Sequence, residues 1–120
     1  MIPWKYLVGV ASPLLAPLAA HAIDVDVKER VAKTVCLAGD YTKGVAILSE
    51  LYVSTNDPAF IYNQGRCFEQ NHRYEDAISR FREYLRVGKK ISRTAKGDAE
   101  KHIVDCQNLL AVERPRPRHW

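Results

Sequence analysis

Three cysteines and one histidine are the residues here whose types and spacing could do chemistry. Cys36, Cys67 and Cys106 are an odd number, so at most one intramolecular bridge can form and one thiol is left over. His102 and Cys106 stand four apart, on one face if the segment is helical, and that spacing suits two metal ligands with Cys67 as a third. A closed metal site needs four ligands, so the pair reads more simply as a half-buried imidazole beside a structural thiol, and no metal or cofactor is expected. Other chemistry is missing from the sequence. There is no glycine-rich phosphate loop and no paired-His zinc motif. There is no nucleophile elbow and no haem-attachment motif. No reacting group is accompanied by the partners that would activate it, so the expectation is a protein that is not an enzyme.

These residues sit in a body that reads as helices throughout. Val27, Val31, Thr34, Val35 and Ala38 recur at three and four residues after Asp26, whose pairing with Glu29 forms a capping box, and Gly39 stops the run. Asp40 caps the next helix, whose stripe is Tyr41, Gly44, Val45, Leu48, Leu51 and Tyr52. Asp57-Pro58 opens a third helix through Ile61, Gly65, Phe68 and Gln70, and Asn71-His72-Arg73 turns the chain. A fourth carries Tyr74, Ala77, Ile78, Phe81, Tyr84 and Leu85 and ends at Gly88. The last begins near Ser92 to Thr94 and presents Ala95, Ala99, Ile103, Cys106 and Leu110 on one face. No alternating run competes with these periods.

The first 22 residues read differently. Lys5 precedes an apolar stretch from Tyr6 to Ala22, and Ala20-His21-Ala22 offers the small-x-small pattern of a signal-peptidase site. Pro13 and Pro17 interrupt the stretch, and about 17 residues is the lower limit for a membrane span. A cleaved export signal (residues 1–22) is therefore expected, with no membrane span in the mature form. Retention as an anchor is the competing reading. The location expected is periplasmic or secreted. The net charge of +4 lacks the basic stripe that nucleic acid binding requires, and Lys89, Lys90 and Arg93 read as a solvated turn. Alternating Pro and Arg from residue 113 to 120 exclude helix there and predict a disordered basic tail.

The two helical pairs echo each other at an offset of 33 residues: Tyr41 with Tyr74, Gly44 with Ala77, Leu48 with Phe81, Leu51 with Tyr84. Self-similarity near 34 residues, as helix–turn–helix, marks a tetratricopeptide array. The unit from Pro58 to Ile91 resembles that family in Gly65, Phe68, Tyr74, Ala77 and Phe81, and departs from it at Ile61, Gln64 and Tyr84. The unit from Val25 to Asp57 is similar in Ala32, Tyr41, Gly44 and Leu48. The stretch from Tyr62 to Leu85 also resembles repeats in short exported bacterial proteins. The resemblance implies an all-α fold: two antiparallel tetratricopeptide-like hairpins (25–57 and 58–91) and a capping helix (93–112), together a 23–112 domain. It implies a concave groove lined by the first helix of each unit, with Glu29, Lys33, Tyr62, Arg66, Glu69 and Gln70 facing a protein or peptide partner. A self-associating structural subunit, hence a possible homo-oligomer, is the alternative. By the same pattern Cys67 faces a neighbouring unit and Cys106 lies on the cap that packs there, so a Cys67–Cys106 bridge is expected. It would close about 40 residues and stabilise by roughly 3–4 kcal/mol. Cys36–Cys67 pairing and three buried thiols stay open.

Overall fold

A computed structural model describes the backbone of residues 16–114 and the side chains of residues 23–114. The described residues form five helices and no strand: α1 (Ala16–Leu37), α2 (Tyr41–Thr55), α3 (Ala59–Gln70), α4 (Tyr74–Val87) and α5 (Arg93–Glu113). Short turns make consecutive helices antiparallel, and each packs mainly on its chain neighbours. α1 also reaches α3.

The local chemistry sets most boundaries. Asp40 accepts from the Lys43 N–H (3.2 Å), and Ser92 accepts from the Ala95 N–H (3.0 Å), each satisfying a donor that the helix itself leaves free. Asp57 accepts from the Ala59 N–H (2.9 Å) at the head of α3. Gly39 takes φ +97°, a left-handed turn that glycine allows without a Cβ penalty. His72 at φ 60° plays that part between α3 and α4.

Two expectations for the first helix fail. Asp26 does not start it. The helix runs from Ala16, because Pro17 falls in the first turn, where its missing N–H costs nothing, and nothing after it breaks the helix before Gly39. The expected cleavage point after Ala22 thus lies inside α1, and residues 1–15 of the apolar leader lie outside the described residues. So do residues 115–120 of the Pro/Arg tail. The second failure concerns the buried face. Val27, Val31 and Thr34 are exposed, Val27 at 44% and Val31 at 41%, and Ala32 and Cys36 are buried instead. Helix α1 carries two apolar stripes, and the one holding the small Ala32 and the bridging Cys36 faces the body.

The core has two sides divided by α3. On one side Ala32, Cys36, Leu48, Leu51, Phe60 and Cys67 form a cluster. On the other, Tyr74, Ala77, Ile78, Phe81 and Cys106 form a second, with Ile61, Tyr84 and Ala99 continuing it at one end. Close approach depends on two glycines. A Cβ on Gly65 would lie 2.7 Å from the Phe81 ring. A Cβ on Gly44 would overlap Cys36 Sγ and stand 3.2 Å from Cys67 Sγ. The buried Gln64, which stands where the tetratricopeptide pattern prefers Leu, is satisfied. Its amide donates to Val45 O (3.2 Å) and Ser49 Oγ (2.7 Å), tying α3 to α2.

Candidate functional site

The disulfide joins Cys36 to Cys67, with a Cα–Cα distance of 5.2 Å, and not Cys67 to Cys106. Geometry explains the correction. Cys67 points to the α1–α2 side of α3, whereas Cys106 is buried with Phe81 on the α4–α5 side. The bridge locks α1 to α3, the first helices of the two hairpins. Asn71 braces it by donating to Cys36 O (3.0 Å) and Cys67 O (2.7 Å).

The bridge forms the floor of a cleft between α1 and α3. Buried Leu48 completes the apolar floor, and Lys33, the exposed Leu37, Tyr62, Asn63, Arg66 and Gln70 line the walls. Four of the six residues expected in a groove therefore meet at one cavity: Lys33, Tyr62, Arg66 and Gln70. Two do not. Glu29 stays on α1, paired with Lys33 at 3.4 Å. Glu69 turns away from the cleft toward α5.

Glu69 there organises a polar cluster that sequence reasoning did not foresee. One carboxylate oxygen takes the Arg66 guanidinium. The other lies 3.0 Å from His102 Nδ1 and accepts from Cys106 Sγ at 3.3 Å. His102 stacks on Phe81, with centroids 5.2 Å apart, and sits edge-on to Tyr62. Tyr62 donates to Asp98, and its ring meets Phe81 and Tyr84 edge-on. Burial, and then this hydrogen bond, raise the Tyr62 hydroxyl pKa. Tyr62 is thus mostly a core residue with one edge in the cleft. The signal that could have found the cluster is the four-residue spacing Asp98–His102–Cys106, which puts all three on one face of α5.

Among the described residues no group of three His, Cys, Asp or Glu side chains is placed to hold an ion. Cys106 is fully buried, and burial first and the Glu69 carboxylate second push its thiol up to about 12. A reactive cysteine needs the opposite, an exposed thiol with a lowered pKa.

No family model, curated protein or solved structure matches the chain. The cavity between α1 and α3 measures about 220 Å³. Cofactor and small-molecule pockets usually run to about 300–1,000 Å³, so the cleft is smaller than most of them.

Proposed function

We propose that the chain is an exported, non-catalytic adaptor of tetratricopeptide type that holds a protein or peptide segment in the cleft between α1 and α3. The observation that carries this reading is the convergence of Lys33, Asn63, Arg66 and Gln70 around an apolar floor of Leu48 and the disulfide. An apolar side chain of the partner would rest on the floor. The ammonium, guanidinium and amide groups would donate to its carbonyl oxygens. The 33-residue echo supports assignment to the repeat type, since Gly44 and Ala77 are both buried at corresponding positions. The Cys36–Cys67 bridge and the apolar leader support export, because disulfides persist mainly in oxidising compartments.

Peptides selected from a random displayed library on the oxidised protein test the cleft. Arg66→Ala with Gln70→Ala is expected to weaken the selected peptides at least about tenfold, since each removed donor leaves a peptide carbonyl unpaired. Unchanged affinity would place the binding surface elsewhere. Tyr62→Ala is a poor probe, because that ring supports the core.

A second reading, a self-associating envelope subunit, draws on the outer face of α1. Ile23, Val27 and Val31 are all exposed there, an apolar face with no packed neighbour among the described residues. A hydrodynamic radius that grows with concentration, and that Val27→Glu with Val31→Glu holds constant, would favour it.

A further inference from the structure

Six basic residues and one acid, Glu83, fall between Arg82 and Lys96. Arg82, Arg86, Lys89, Lys90, Arg93 and Lys96 are all exposed around the turn from α4 to α5. Arg86 and Glu83 neutralise each other, with Arg86 Nε 2.9 Å from Glu83 Oε2. The other five have no ion-pair partner among the described residues. Asp57, at the same end of the molecule, directs its carboxylate to the Ala59 N–H. Like charges this dense repel one another, so their concentration at one turn runs against stability.

Two further features lie at this end. Pro58, Val87 and Ile91 line a shallow recess of about 310 Å³, with Lys89 and Lys90 also on its wall. It is an apolar depression with a cationic rim. The alternation of helix directions also brings together the start of α1, the end of α2, the start of α3, the end of α4 and the start of α5. Tyr52, Ile61, Tyr84, Val87, Ile91 and Ala99 meet in one cluster there.

We infer that this end docks on the anionic headgroups of a membrane surface. Each Lys or Arg brought near such a surface strengthens binding about fivefold, within a screening distance of about 10 Å at ordinary salt. A nucleic acid fits less well. The cations ring a single turn instead of following a stripe, and a phosphate backbone would leave the apolar recess empty. An interfacial acyl or glycerol group would fill it. The surface is separate from the cleft between α1 and α3, and its test does not depend on the peptide-binding reading.

The test is vesicle co-sedimentation of the full chain with phosphatidylcholine alone and with about one-third phosphatidylglycerol added. Phosphatidylcholine alone sets the baseline, so the difference between the two reports the basic end. The expected preference for anionic vesicles is on the order of a hundredfold at low salt, collapsing near ~0.5 M salt. Lys89→Gln with Lys90→Gln should cut that preference about twentyfold. Lys43→Gln with Arg114→Gln removes the same charge from the opposite end and should change it less than about threefold. Equal binding to both vesicle types, or equal losses in the two double variants, would overturn the inference. So would capture of duplex DNA with no vesicle preference.

Discussion

Gly44→Ala should change sign with the redox chemistry of its neighbours. In the oxidised protein the new methyl overlaps Cys36 Sγ and lies 3.2 Å from Cys67 Sγ and 3.3 Å from Ala32 O. Overpacking of this kind costs about 1–3 kcal/mol, against about 1 kcal/mol gained from alanine's better helix propensity. The net expectation is a loss of up to about 2 kcal/mol. In a Cys36→Ala, Cys67→Ala background both sulfurs are gone, and only the Ala32 carbonyl remains close. There the substitution should lie between neutral and a gain of about 1 kcal/mol, a coupling of about 2 kcal/mol. Removing the bridge itself, across a sequence separation of 31, should cost about 3.5–4 kcal/mol in the chain-entropy account. In a domain this small that lowers the melting temperature by roughly 15–30 °C. The assay is urea unfolding of the four proteins, followed by helical circular dichroism without reductant. Sucrose added to all four keeps the weakest folded. Equal cost of Gly44→Ala in both backgrounds would refute the packing of the disulfide against α2.

Other outcomes follow from the α3–α5 cluster and the cysteines. The folded-state pKa of Cys106 is raised from 9.0 to about 12, so its contribution to stability is intact below about pH 9 and is lost as pH climbs toward 12. Cys106→Ser keeps a donor to Glu69 and should remove that part of the alkaline decline in a urea-midpoint profile. Glu69→Gln should cost about 2–3 kcal/mol, because it replaces a charged acceptor shared by Arg66, His102 and Cys106. Hydrogen exchange should then rise in α5 while α1 and α2 are little changed. Intact mass of the protein from the producing cell should match Ile23 to Trp120 less two hydrogens, with one alkylatable thiol after unfolding without reductant. A full-length mass with three thiols would remove both the export and the bridge.

The helices were legible where a residue type has one local meaning. Asp40 and Ser92 accept from backbone N–H groups at helix heads, Gly39 turns left-handed, and Asp57-Pro58 precedes α3. Of the positions that the 33-residue echo pairs, Gly44, Leu48, Leu51, Tyr74, Ala77, Phe81 and Tyr84 are buried and Tyr41 is half-buried. Legibility failed where the decision was tertiary. Helix α1 has two apolar stripes, and period alone does not choose between them. Three cysteines at helical positions do not disclose which side of α3 each takes. Glu69 and Arg66 share a face in sequence, yet Glu69 turns to His102 and Cys106 while Arg66 reaches the cleft as well. The same spacing that hinted at a metal pair on α5 serves to hold that helix against α3.

Site-specific photo-crosslinking in the producing cell tests the adaptor reading most directly. A photoreactive residue is placed at Lys33 or Gln70 in the cleft, at Val27 or Val31 on the outer face of α1, and at Glu50 as a control. The account predicts adducts to one discrete partner from positions 33 and 70 and none from 50. Adducts to a second copy of the chain from positions 27 and 31 alone, with the cleft positions silent, would contradict it and leave self-assembly in its place.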